Sequence, residues 1–165
     1  MQALLYLITL LITHHAASII QASLHCFLGH RKKGGLINKI HAYEHHGIYS
    51  KDLLVSESYL DEAKSLDYLY AIPVTFLAIC VYLTVPLDIF LVHIIALGLS
   101  TFAHLYLHVH YHLKNSPLKR FCWFQTKQRL HLLHHKDMTR NFAVVEFVWD
   151  RVMGTFMDAP LNANL

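Results

Sequence analysis

The sequence predicts an all-α integral membrane protein with about three transmembrane helices, and three observations support this fold class. Of the 165 residues, 55% are hydrophobic and only 15% are charged, whereas an ordinary soluble domain has about 25% charged residues. Two long segments are almost free of charged side chains. The segments that follow them are polar and basic. The length suits one domain, and we assign residues 1–165 to it.

The first apolar segment, residues 3–28, contains no Asp, Glu, Lys or Arg. A helix of this length exceeds the roughly 20 residues that cross a 30 Å hydrocarbon core. A cleaved signal peptide would begin with a basic region, and Met1 and Gln2 carry no basic side chain. We therefore expect one spanning helix that is retained in the mature protein.

The second apolar segment, residues 69–113, has Asp88 as its only charged residue. As a single helix it would be about two bilayers long, so it must turn back on itself. Pro86 disfavours helix in the residue before it, and Asp88 can cap a helix that follows. The segment therefore predicts a hairpin of two spans, at about 68–85 and 88–112.

The polar segments 29–67 and 113–165 carry all 14 lysine and arginine residues. By the positive-inside rule both segments are cytoplasmic. With three spans, four groups of histidines that are far apart in sequence emerge on this same side. We expect them to form a cytoplasmic, helical, histidine-rich site for two metal ions.

Fifteen histidines in one chain are the most unusual feature of the composition. On a helix, residues three or four apart share a face, so HLLHH and HAYEHH should each direct their imidazoles to one side. The motifs HCFLGH and HLYLH add two further pairs. The ten candidate metal ligands are His25, His30, His41, His45, His46, His104, His108, His131, His134 and His135.

Five other histidines have weaker claims to a metal. We interpret His14, His15 and His93 as hydrogen-bonded residues within the helices, although His93 could also line a cavity. His110 and His112 lie at the membrane interface, where their tips can reach water, and their roles stay open.

Composition also excludes several kinds of site. A net charge of +3 without a basic stripe argues against nucleic acid as a partner. Three cysteines without a CxxC pair provide neither a disulfide framework nor a thiolate metal site. Ten imidazoles exceed the ligands of one tetrahedral zinc ion and suit two metals. Nitrogen ligation fits Fe, Zn, Cu or Ni, so the ligands alone do not identify the metal.

The order HCFLGH, HAYEHH, HLYLH and HLLHH resembles the membrane-bound fatty acid hydroxylase family, which includes sterol desaturases. The end of the chain adds to the resemblance, because Asn141-Phe142-Ala143 is similar to the family's NFG segment and residues 149–155, WDRVMGT, to its WDRLFGT-like ending. The resemblance covers residues 25–156. This chain differs in having HxxxHH as its second motif, Ala143 in place of the usual glycine, and three expected spans instead of four.

The resemblance implies that the ten histidines hold two iron ions, which use O2 to oxidise an unactivated C–H bond of a fatty acyl chain or sterol. Hydroxylation and desaturation stay open. A separate donor such as cytochrome b5 or ferredoxin would supply electrons, and zinc could replace iron in purified samples. Asn141 and Asp150 are expected to orient ligand imidazoles by accepting their other N–H. The membrane would be the bacterial inner membrane or the endoplasmic reticulum.

Two other classes of protein could use these histidines. A b-type cytochrome needs haem ligands deep in the bilayer, where only His14, His15 and His93 are placed. A metal-binding or metal-transport protein without oxygenase activity would also present histidines to the cytoplasm. Transport usually needs polar ligands near the membrane midplane, and Asp88 lies in a turn at the other end of the spans.

Overall fold

The computed structural model describes residues 1–61 and 71–158, and the regular elements in these residues are helical. This agrees with the predicted all-α class. The α-helices are α1 Gln2–Leu24, α2 Leu36–Asn38, α3 His46–Ile48, α4 Ala71–Tyr82, α5 Leu87–Tyr111, α6 Cys122–Lys136 and α7 Val148–Met153. Two π-helices are π1 His25–Gly29, which continues α1, and π2 Lys39–His45, between α2 and α3.

Two of the described helices are long and apolar enough to cross a membrane. They are Gln2–Gly29, which joins α1 to π1, and Leu87–Tyr111, which is α5. Their outward side chains are large and apolar, as a lipid-facing surface requires. Examples of these exposed residues are Leu4, Leu7, Leu11, Leu91, Ile95, Leu99 and Phe102.

The other predicted span, 68–85, begins outside the described residues. Its described part contains a shorter apolar helix, Ile72–Tyr82. The described residues thus hold two candidate spans, and the third stays a prediction. The ring of Tyr82 packs edge-on against Phe90, with centroids 5.0 Å apart. The predicted break is present, but Pro86 takes the N-cap position of α5. Asp88, expected to cap the helix, instead lies in its first turn.

Helices α1 and α5 pack side by side in the same direction. Near their amino ends, the carboxylate of Asp88 accepts hydrogen bonds from Tyr6 (2.8 Å) and Gln2 (3.1 Å). Further along, Thr13 pairs with His93 at 2.9 Å. Residue numbers increase in the same direction along both helices from one pair to the next, so the carboxyl ends of α1 and α5 lie at the same end of the molecule.

The segment after π1 folds back against it. The side-chain amide of Asn38 donates to the carbonyl of Gly29 at 2.8 Å. Gly34 lies so close to Leu28 that a Cβ atom at position 34 would overlap the Leu28 carbonyl oxygen. A glycine is therefore required here by close backbone approach. The turn places π2 next to π1, which brings their histidines together.

Replacing Gly34 by alanine should destabilise the protein, because the added methyl group forces the turn away from Leu28. We expect a loss of about 1–3 kcal/mol, typical of overpacking, measured as a lower thermal unfolding midpoint in detergent. Gly98→Ala is the control, since a Cβ there meets no atom within 4 Å. Equal stability of the two variants would contradict the close approach.

Candidate metal centre

The structure gathers ten histidines into two groups of five. Within each group, one potential ligand atom from every residue lies within 4.8 Å of the others. Atoms bound to one ion at about 2.0–2.1 Å are at most about 4.2 Å apart, so each group needs only a small contraction to surround a metal. The first group is His25, His30, His41, His46 and His134, and the second is His45, His108, His112, His131 and His135.

The two π-helices explain how the first group forms. A π-helix joins residues five apart by hydrogen bonds, and the amide of His30 donates to the carbonyl of His25 at 3.1 Å. The amide of His46 likewise donates to the carbonyl of His41. Each i, i+5 histidine pair therefore points to one side. In an α-helix, at about 100° per residue, the same pair would diverge.

Adjacent histidines divide between the two groups. His45 belongs to the second group and His46 to the first, while His134 belongs to the first and His135 to the second. The expectation that HLLHH and HAYEHH each direct their imidazoles to one side is therefore wrong. On α6, His131 and His135 are four residues apart and share a face, and His134 is rotated away from them.

All the sequence-predicted ligands except His104 lie in one of the groups. The ring of His104 stacks on that of His108 at a centroid distance of 6.2 Å, outside both groups. His112, whose role the sequence left open, takes part in the second group and is fully buried. It follows the last residue of α5 and lies four residues after His108, so helical spacing could have indicated it.

Hydrogen bonds fix the orientation of four imidazoles. Each donates its Nδ1–H to a backbone carbonyl, which leaves Nε2 as the nitrogen with a free electron pair. In the first group, His25 donates to Phe142 at 2.5 Å and His134 to Arg140 at 2.7 Å. In the second, His112 donates to Leu54 at 2.9 Å and His135 to Tyr49 at 2.8 Å.

One further imidazole has a carboxylate as its partner. Nδ1 of His45 lies 2.8 Å from Oδ2 of Asp61. Tyr49, fully buried, also supports the second group, because its ring stacks on His112 with centroids 3.9 Å apart. Sequence reasoning missed Asp61 and Tyr49, and no motif in the sequence links either residue to the histidines.

In the described residues, five imidazole nitrogens of the two groups are buried without a hydrogen-bond partner. Three of them are Nε2 of His45, His134 and His135, residues in which Nδ1 is already bonded. A buried polar atom without a partner is costly, and one metal ion in each group would satisfy these three Nε2 atoms. The donor set therefore fits a metal in each group, with one ion per five imidazoles.

The electrostatics of the groups also suits metal binding. Burial, followed by the proximity of other histidines, lowers the pKa of His131 and His134 well below the usual range. Burial lowers the pKa of His112 to about 4. These imidazoles are therefore neutral at physiological pH, and the neutral form is the one that binds a metal.

Asn141 and Asp150 act differently from the sequence-based expectation. Neither accepts a hydrogen bond from a ligand imidazole in the described contacts. Asp150, fully buried, accepts from the backbone amides of Phe142 (2.7 Å) and Ala143 (2.9 Å). Asn141 has a positive φ of 52°, and its side chain bonds to the backbone of Leu130 and Met157. Both residues hold the segment whose carbonyls orient His25 and His134.

The histidines assigned to the helices make ordinary packing contacts. His93 pairs with Thr13 and His14 with Ser100, each at 2.9 Å. His15 packs edge-on against Trp149. His110 lies 2.9 Å from the hydroxyl of Ser116. None of them is in either group of five.

Single substitutions of the adjacent pair should remove different metals. His134→Ala takes a ligand from the first group and His135→Ala from the second. We therefore expect each variant to bind about one metal equivalent fewer than the parent protein, and the double variant to lose both. Metal titration of the purified proteins tests this. His110→Ala is the matched control at the same end of α5 and should retain both equivalents. If His134→Ala and His135→Ala weakened the same equivalent, the division into two groups would be wrong.

Asp150→Asn should weaken metal binding in the first group alone. The two backbone N–H groups bond to different oxygens of Asp150. In asparagine an NH2 group replaces one of these oxygens, so one hydrogen bond is lost and the segment that orients His25 and His134 loosens. We expect the affinity of one equivalent to fall by about 10–100-fold, with a lower unfolding midpoint from the lost hydrogen bonds. Asp158→Asn, an exposed residue nearby, is the control. A uniform weakening of both equivalents would contradict this role.

Comparison with known proteins gives one match. The sequence model of the family described as fatty acid hydroxylase matches residues 9–155, well over half of the chain. No curated protein and no solved structure matches the chain significantly. The matched region includes both histidine groups, the whole of α5 and the first candidate span from residue 9 onward, and it confirms the resemblance drawn from the histidine motifs. The chain belongs to the fatty acid hydroxylase family.

Proposed function

We propose that this protein is an O2-dependent di-iron oxidase that hydroxylates or desaturates an unactivated C–H bond of a membrane lipid. Family membership indicates an oxidoreductase with a lipid hydroxylase-type function. The observation that carries the finer proposal is the pair of adjoining five-imidazole groups at one end of two apolar helices. Their rings touch, since His46 of the first group stacks on His135 of the second with centroids 4.0 Å apart.

Two adjoining metal sites suit a reaction that takes up two electrons for each C–H bond it oxidises. Hydroxylation consumes one O2, two electrons and two protons for each C–H bond converted to an alcohol, with water as the second product. When bound, two iron ions would supply the O2 activation and the oxidising power. The chain itself contributes neutral, oriented imidazoles and a buried environment, since His131 and His134 have no solvent exposure.

We propose a membrane lipid as substrate, oxidised near its polar end. The groups lie after the carboxyl end of α1 and around that of α5, where the apolar surface ends. A lipid with its headgroup at the interface would bring carbons near that headgroup to this level more easily than its tail. This favours C2 of an acyl chain or a position near a sterol hydroxyl.

We further propose that this end of the helices faces the cytoplasm, in the bacterial inner membrane or the endoplasmic reticulum. Basic residues cluster beside π1, where Arg31, Lys32 and Lys33 are exposed, as the positive-inside rule requires of cytoplasmic segments. The same charges would attract an acidic electron carrier such as cytochrome b5 or ferredoxin.

The proposal predicts that bound iron and an oxidised lipid product are lost together when ligands are removed. Protein expressed in iron-supplemented medium should contain about two irons per chain. Lipids of the expressing cells should contain a hydroxylated or unsaturated species that is absent when His134 and His135 are both alanine. Under 18O2, a hydroxylase would place one 18O atom in the product, whereas a desaturase would produce a double bond without label.

The second candidate function is metal binding or transport without oxidation, which the same histidine groups support. Metal uptake by proteoliposomes, together with unchanged cellular lipids, would favour it and contradict the oxidase. A product modified at the methyl end of the acyl chain would overturn the proposed position of attack.

A further inference from the structure

The two histidine groups differ in the partners that orient their imidazoles. In the first group, His25 and His134 donate to backbone carbonyls, which are neutral acceptors. In the second, His45 donates to a carboxylate oxygen of Asp61, an acidic side chain and not a neutral amide carbonyl. Among the ion pairs of the described residues, only the His45–Asp61 pair includes a histidine of the two groups.

The contact between His45 and Asp61 is well enclosed. The side chains of His45 and Asp61 are 2% and 13% exposed, so water screens their interaction weakly. The hydroxyl of Tyr59 lies 3.5 Å from the same carboxylate oxygen. Backbone structure holds the segment in place, because the amide of Leu60 donates to the hydroxyl of buried Tyr49 at 2.7 Å.

The unpartnered nitrogen of His45 shows where this charge acts. Its Nε2 is buried without a hydrogen-bond partner and belongs to the second group. A carboxylate on Nδ1–H makes the imidazole more electron-rich and raises the basicity of the opposite nitrogen. The effect of Asp61 is therefore transmitted to whatever His45 Nε2 binds.

We propose that Asp61 is a positioning residue that makes the two metal positions unequal. Through His45, it strengthens metal binding in the second group and stabilises the more highly charged oxidation state of the ion held there. In the part of the chain that the structure describes, His25 and His134 of the first group are oriented by neutral carbonyls and no carboxylate contacts that group. The inference rests on the proposed occupancy of both groups by metal, and it adds a difference between them that the family assignment does not contain.

Cobalt(II) titration followed by visible absorption tests the inequality in the purified protein. The parent chain should bind two equivalents, which His134→Ala and His135→Ala assign to the first and second groups. Asp61→Asn should weaken the second-group equivalent by about 10–100-fold and leave the first unchanged. Asp52→Asn removes the same charge from an exposed position in the same segment and should change neither. Unchanged affinities in Asp61→Asn, or weakening of the first group, would overturn the proposal.

A second variant separates charge from folding. Asp61→Glu retains the carboxylate and should keep the second-group affinity within a few-fold of the parent, whereas a loss as large as that in Asp61→Asn would contradict the charge argument. With 57Fe, Mössbauer-monitored reduction of Asp61→Asn should show one of the two irons reduced at a more positive potential and the other unchanged. A purely structural role would not produce this single shift.

The same experiments distinguish failure of the proposed function from failure of the Asp61 inference. A parent protein that binds two cobalt ions but produces no oxidised lipid would remove the oxidase proposal and leave the role of Asp61 standing. A parent protein that binds fewer than two ions would overturn both. Two bound ions of unchanged affinity in Asp61→Asn would remove only the Asp61 inference.

Discussion

The gathering of ten neutral imidazoles, seven buried and three partly buried, in two touching groups is the constraint on which the rest of the structure depends. Each buried nitrogen without a partner costs about 1–3 kcal/mol, and the Nε2 atoms of His45, His134 and His135 are all in this position. Such costs are large beside the total stability of a domain, about 5–15 kcal/mol. Metal binding would offset them, so we expect metal affinity and folding stability to be coupled.

The rest of the fold supplies what these imidazoles need. Parallel packing of α1 and α5 brings two histidine-bearing helix ends to the same level. The close approach of Gly34 to Leu28 turns the chain so that π2 lies beside π1. Non-helical segments then supply free carbonyls at Leu54, Arg140 and Phe142. Carbonyls within helices are already bonded, which explains why loops orient the ligands.

The sequence was sufficient to predict the helical class, two of the spans and most of the histidines that gather. It was insufficient for their partition, because reasoning from α-helical periodicity cannot anticipate a π-helix at His25–Gly29 or Lys39–His45. The sequence favours His104 over His112 as a metal ligand for a similar reason. The position at which α5 ends decides which of its histidines lies against α6, and periodicity does not specify that position. Asp61 lies 16 residues from His45, and that contact depends on a loop path that no local pattern specifies.

Because adjacent histidines divide between the two groups, the positions of the two groups are coupled through the backbone. His45 and His46 share one backbone segment, and His134 and His135 share another, yet each pair serves both groups. A displacement of either segment therefore changes the ligand geometry of both sites at once. A difference between the sites cannot easily arise from backbone position under these conditions. It must come from the atoms that are hydrogen-bonded to the imidazoles, and the carboxylate of Asp61 on Nδ1 of His45 is such a partner.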